Sequence, residues 1–339
     1  MKAAVVERPG VLAVRDLPDP VPGDYDALCR LEYGATCTGT DSHLVAGAFP
    51  FPIDYPAILG HESVGRVVAV GRKVKNYRPG DLVTRVGAPP TASVGTCWGG
   101  FASMGIAKDH WAMAADGRPE AEWAGHRVNQ VVPASVDART APMFTTWRET
   151  LSYLTRMGVG AGSSVLVIGS GGNGLSFARH AKLLGAAVWI VGAARLEQTA
   201  LDLGLDGFRD HRSDAVVKVL GAAVPRGFTH VIDAVGKAGQ ADRFLPLLAP
   251  GGRIGVYGLD DFAAVTISPR LARGSFTVWN GGYDEAETHQ RVSELVLQGK
   301  LDASAWYDAD RPYPLARIAD AFADLAQRKA VKMLIALSA

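Results

Sequence analysis

Between Cys37 and His43 the sequence Cys-Thr-Gly-Thr-Asp-Ser-His gathers a thiol, hydroxyls, a carboxylate and an imidazole, and Gly60-His61-Glu62 follows. Cys, His and Glu are zinc ligand types. A site with three protein ligands and one open position is the catalytic kind, in which the metal polarises an alcohol or carbonyl oxygen. Beside such a site Thr40 could take an alcohol proton and pass it outward towards His43, while Asp41 could orient a ligating imidazole. Each residue alone has a plainer use, since a lone His is usually a satisfied surface or core group and Asp-Ser is often only a turn.

A second constellation lies further on. Gly169-x-Gly171-x-x-Gly174 follows the apolar run Val165 to Ile168 and leads into Leu175, Ala178, Leu183 and Leu184 at roughly helical spacing. That is the order strand, tight turn, helix of a dinucleotide site. Gly169 permits the turn, Gly171 lets the backbone approach a pyrophosphate, and Gly174 allows close helix–strand packing, while N–H groups at the helix start, around Gly172 and Asn173, supply an anion site. The next strand, Ala187 to Val191, ends on Gly192, where an NAD site usually places a carboxylate; Arg195 stands three residues on, where its guanidinium could pair with a 2′-phosphate. NADP is therefore the expected cofactor, with NAD possible if Arg195 is only a solvated cation. Val235 with Gly236, Gly258, and Asn280-Gly-Gly282 close later strands and are expected to line the nicotinamide half.

The elements that must position these groups fall into two kinds. Up to about Val132 the chain reads as short β segments between Gly and Pro turns: Ala3 to Val6, Ala27 to Tyr33, Ser63 to Val70, Asp81 to Val86 and Arg127 to Val132. A helix is predicted over Thr145 to Met157. From Val165 apolar strands alternate with helical stretches, at Val188 to Val191, Gly207 to Phe208, His230 to Ala234, Arg253 to Tyr257 and Phe276 to Trp279, which argues a doubly wound parallel sheet. A helix over Leu315 to Gln327 and a strand over Val331 to Ala336 follow. The fold class is α/β: a β-rich catalytic domain from residues 1–150 with 290–339, and a cofactor domain from 151–289.

At 339 residues, 48% hydrophobic and 20% charged, the chain can bury two cores. A net charge of +1 with no basic, aromatic-interleaved cluster argues against nucleic acid. A charge too early for a signal peptide and the lack of a long apolar run argue against a membrane and for the cytoplasm. The three cysteines, Cys29, Cys37 and Cys97, are too few for a disulfide framework.

Together the chain resembles the medium-chain dehydrogenase/reductase superfamily, in its zinc-type alcohol, polyol and sugar dehydrogenase branch. The resemblance is carried by Gly39-Thr-Asp-Ser-His43, Pro56-Ala-Ile-Leu-Gly-His-Glu-Ser-Val-Gly65 and its continuation to Gly71, Pro79-Gly-Asp-Leu-Val83, Gly99-Gly-Phe-Ala102, the Gly169 motif and Val331-Lys-Met333. It implies a GroES-like catalytic domain, a Rossmann domain between its halves, a homodimer or homotetramer, and hydride exchange between NAD(P) and an alcohol or carbonyl. His61 matches a zinc ligand, Glu62 the carboxylate at the zinc, Thr40 the relay hydroxyl and His43 its outer end. Three departures stand out. The usual cysteine position before Gly-Thr-Asp holds Thr38, so Cys37 ligates only if Thr38 bulges out. The usual third ligand position holds Thr145, with Glu149 the nearest carboxylate. The four-cysteine structural-zinc lobe is missing, leaving Cys97. The expectation is one catalytic zinc on Cys37, His61 and Glu62 and no structural zinc. The alternatives are a zinc-independent NADPH-dependent reductase of C=C or C=O bonds and a dinucleotide-binding sensor. Phe49, Trp98, Trp111 and Trp147 are candidate pocket walls.

Overall fold

The computed structural model describes residues 1–338. The chain divides into two compact units, residues 1–148 with 285–339 and residues 149–284, and the boundary falls inside the helix Phe144–Met157.

The first unit is built on strand Asp26–Ala35, where Ala27, Cys29 and Leu31 alternate into the core with period two. It pairs antiparallel with Glu62–Val70 and Met104–Lys108, and with the late strand Leu334–Ala336, so segments from both ends of the sequence share one sheet. A smaller sheet runs Val11–Asp16, Lys2–Arg8, Ala57–Ile58, Gly95–Thr96. The core between them holds Leu31, Leu44, Val83, Phe101, Ile318 and Ile335.

The second unit is a six-stranded parallel sheet in the order Gly207–Asp210, Ala187–Gly192, Ser164–Ile168, Phe228–Asp233, Leu248–Val256, Thr277–Trp279. Its central strand is apolar throughout because it is covered on both faces: Val165, Leu166, Val167 and Ile168 are all fully buried. The helix Gly172–Leu183 leaves the turn after that strand. It starts so close to the strand that a Cβ on Gly174 would lie 1.9 Å from the Gly169 carbonyl oxygen. This is the GroES-like plus Rossmann α/β architecture expected of the sequence.

Three local readings need correction, and one element is added. Arg127 to Val132 is not a strand: only Val131 bridges to Val83, through the Thr84 N–H to the Gln130 carbonyl and the Val132 N–H to the Leu82 carbonyl, and before it the Asn129 amide donates to the Thr84 and Arg85 carbonyls. The strand expected over Asp81 to Val86 is confined to Leu82–Thr84, since Arg85 takes a left-handed φ of 57° and breaks the ladder. The last strand begins only at Leu334, because Val331 and Lys332 serve other partners. The stretch after Gly39, to which the sequence reading assigned no element, is the helix Thr40–Ala46.

Candidate metal and cofactor site

The register that sets Ala35 opposite Glu62 brings two strand ends together, and with them Cys37, His61 and Glu62. All three are buried, and one ligand atom from each lies within 4.8 Å of the others, the only group of three such donors among the described residues. Thr38 turns aside and donates from its hydroxyl to the Val331 carbonyl at 3.2 Å. A thiol, an imidazole and a carboxylate this close suit a small tetrahedral cation such as zinc.

Asp41 organises the group. It is fully buried; Oδ2 accepts the Cys37 N–H at 2.8 Å and Oδ1 lies 3.2 Å from His61 Nδ1. With Nδ1 donating to Asp41, Nε2 faces inwards, 3.7 Å from Glu62 Oε1, where it would give up its proton and ligate a metal. Burial pulls the His61 pKa down, but the Asp41 carboxylate and the Cys37 sulfur outweigh it and hold it well above the usual imidazole value. Thr40 and His43 are three residues apart on the helix that carries Asp41, hence on one face of it.

Glu62 is held by a residue that the sequence reading quoted only within Val331-Lys-Met333 and gave no role. Lys332 Nζ stands 2.6 and 2.7 Å from the two carboxylate oxygens and 3.3 Å from the Thr36 carbonyl, with the ammonium and the carboxylate both buried. Burial lowers the Lys332 pKa, yet Glu62 and Cys37 raise it further, so the ammonium keeps its charge. Thr146, not Thr145, donates its hydroxyl to Glu62 Oε1 at 2.9 Å. Glu149 is turned elsewhere and accepts from the hydroxyls of Tyr257 at 2.8 Å and Tyr283 at 3.3 Å. The sequence signal was a lone lysine in the apolar run Ala330 to Leu337.

Of the four aromatic candidates, two stand by this group. The Trp98 ring centroid is 5.3 Å from that of His61, and Phe49 meets Trp98 edge-on at 6.3 Å. Trp111 instead packs on His110 and Tyr77, and Trp147 is fully buried against Phe144 and Trp306.

In the second unit the turn Gly169 to Gly174 ends the central strand, with Gly171 at the N-cap of the following helix and Gly172, Asn173 and Gly174 in its first turn. Gly192 is crowded: a Cβ there would lie 2.3 Å from Ser170 Oγ, which also accepts the Ala193 N–H at 3.0 Å. Steric crowding by Ser170 thus accompanies the missing carboxylate. Arg195 is exposed on the turn Ala194–Leu196. His211, unmarked by the sequence reading, joins this strand end through Nδ1, 3.0 Å from the Gly192 carbonyl. Val235 packs against Gly169, and the N–H groups of Val235 and Gly236 both donate to Asp233 Oδ1 at 2.9 Å. Gly258 N–H reaches the Asp233 carbonyl at 3.1 Å, so these turns lie together at the carboxyl ends of neighbouring strands.

Known proteins resemble this chain along most of its length. The family described as alcohol dehydrogenase GroES-like domain matches residues 23–117, and the family described as zinc-binding dehydrogenase matches residues 203–331. L-galactonate-5-dehydrogenase of Escherichia coli K12 is 26% identical over 333 residues, covering 95% of this chain and 94% of its own. Sorbitol dehydrogenase of Gallus gallus is 32% identical over 211 residues, 60% of this chain and 59% of its own. A zinc-binding dehydrogenase structure from Sinorhizobium meliloti 1021, bound to NADP, has the same fold, with a TM-score of 0.79, 24% identity and coverage of 99% of this chain and 98% of that one. No helix among the described residues is long and apolar enough to cross a membrane.

Proposed function

This chain belongs to the medium-chain dehydrogenase/reductase superfamily and is an NAD(P)-dependent alcohol dehydrogenase/reductase, and from that premise we propose an NADP-preferring, cytoplasmic enzyme with one catalytic zinc that interconverts an alcohol, whether secondary alcohol, polyol or sugar, and its carbonyl. The observation that carries the reading is the buried triad Cys37, His61 and Glu62, with Asp41 orienting the imidazole.

These three side chains would hold the metal. Zinc, when bound, polarises the substrate oxygen, and the nicotinamide exchanges a hydride with the carbinol carbon. Thr40 takes the hydroxyl proton and His43 hands it outwards along one helix face. Lys332 pairs with the Glu62 carboxylate and holds it in place beside Cys37 and His61, while Asp41 fixes the His61 ring. Arg195, and the lack of a carboxylate at Gly192, favour the 2′-phosphate of NADP. Strand Thr277–Trp279 closes the sheet on one side with Val278 51% exposed, an apolar edge fit to pair with a second copy in a homodimer or homotetramer.

The test is elemental analysis of protein purified without added metal, paired with NADP-linked alcohol oxidation before and after chelation. One zinc per chain and activity lost with it are expected. Full activity in metal-free protein would select a zinc-independent reductase instead.

A further inference from the structure

Trp98 has a φ of 65°, in the left-handed region that a bulky side chain occupies only when its surroundings hold it there. The surroundings do. Cys97 N–H donates to the Ile58 carbonyl at 2.7 Å, Ala88 N–H to the Gly99 carbonyl at 2.9 Å, and Gly100 N–H to the Gly60 carbonyl at 2.7 Å. These bonds pin the turn to the segment that ends in His61. The outcome is an indole 48% exposed to solvent and tilted at 52° to the His61 ring, 5.3 Å between centroids. Phe49 stands edge-on to it at 6.3 Å, and Phe51, 51% exposed, lies 5.7 Å from Phe49.

Strained backbone, exposed aromatic surface and contact with a candidate metal ligand coincide at one residue. Large rings left in water beside a reactive centre represent hydrophobic free energy that an apolar substrate group recovers on binding. The face of an indole offers no hydrogen bond, and its edge offers one N–H donor. An open-chain polyol, with a hydroxyl on each carbon and no continuous C–H face, would lose water contacts here without replacing them.

Resting on the dehydrogenase reading above, we propose that Trp98, with Phe49 and Phe51, is the shelf for the substrate's carbon skeleton, and that the substrate is an alcohol whose carbinol carbon bears a flat aromatic or unsaturated group. The reaction is unchanged: the carbinol C–H bond breaks with its electron pair passing to NADP⁺, the O–H proton goes to the Thr40 hydroxyl as that hydroxyl passes its own proton to His43, and a C=O bond forms.

The probes are 1-phenylethanol, 2-propanol and sorbitol, and the variants are Trp98→Gly and Trp98→Phe. Glycine is at ease at a positive φ, so Trp98→Gly removes the ring without a folding penalty at this turn, and a Tm at or above that of the wild type checks this. The wild type is expected to show a higher kcat/KM for 1-phenylethanol than for sorbitol. Trp98→Gly should lower kcat/KM for 1-phenylethanol about tenfold more than for 2-propanol, and Trp98→Phe should restore most of the loss. Calorimetric binding of the product ketone, acetophenone, in the presence of NADP⁺, with which it cannot react, should weaken about tenfold in Trp98→Gly. A wild type that prefers sorbitol, or a Trp98→Gly variant that loses both monoalcohols equally, overturns the shelf while leaving the dehydrogenase reading intact. No oxidation of any of the three alcohols overturns both.

Discussion

Lys332 and Glu62 form an ion pair wholly out of water, and removing either partner strands the other's charge. Lys332→Met is therefore expected to cost about 3–5 kcal/mol in chelator-treated protein, read from guanidinium unfolding. The loss should be smaller in zinc-loaded protein, where a cation again faces the carboxylate. Equal stability of variant and wild type without metal would refute the pair's importance. Arg195→Ala should weaken NADPH binding about tenfold or more while barely moving NADH, since a charge-assisted contact to the 2′-phosphate is removed. Equal affinity of the wild type for the two cofactors would end the preference for NADP. Donor types alone made Cys37, His61 and Glu62 visible in the sequence, because thiol, imidazole and carboxylate in close order have few other uses. The role of Lys332 was not visible, although Val331-Lys-Met333 carried part of the resemblance, as its partner lies 270 residues away and a lysine in an apolar strand reads as an edge residue. Nor could the sequence sort the tryptophans, whose placement beside His61 or in the core is decided by packing.

The helix Thr40–Ala46 is short, and it joins two tasks: Asp41 faces the metal triad while Thr40 and His43 share another face. If those two form a proton relay, His43→Ala should slow alcohol oxidation, with partial rescue by imidazole buffer and no change in bound zinc. A variant as fast as the wild type would leave His43 outside the mechanism. At this scale the strand, turn and helix from Ser164 to Leu183 were legible because the apolar period changes from a run to helical spacing at a glycine turn. The segment 127–132 misled for a matching reason. Its Val128, Val131 and Val132 carry strand propensity, but pairing stops after the bonds around Val131, and the Asn129 side chain takes the Thr84 and Arg85 carbonyls. The end of Leu82–Thr84 was hidden as well, for nothing in the residue type of Arg85 announces a left-handed backbone.

Across the whole molecule, acid should weaken the fold. Burial first of all pulls the pKa values of His110, His180 and His289 down to about 4, about 3 and about 4, so all three are neutral when folded. An unfolded chain binds those protons near pH 6.5, so the contribution is complete above that pH and is lost as pH falls towards 3–4. Zinc-loaded protein is the form to measure, because His61 in metal-free protein titrates with the opposite sign. Guanidinium midpoints should fall between pH 7.5 and 4.5, and less so in His180→Gln; a flat profile would contradict the assignment. The alternation of strand and helix made the second unit readable from local pattern, whereas the first unit depends on pairings between its two distant segments, which no local pattern encodes.

That closure of the first sheet by Leu334–Ala336, and of the Glu62 carboxylate by Lys332, also sets a timetable. On the ribosome the second unit is complete while the first still lacks its closing strand, so a nascent chain carries Cys37, His61 and Glu62 with no ammonium to hold the carboxylate in place. The ligands are made first and their frame last, and the site can mature only after the cofactor-binding unit has had time to fold on its own.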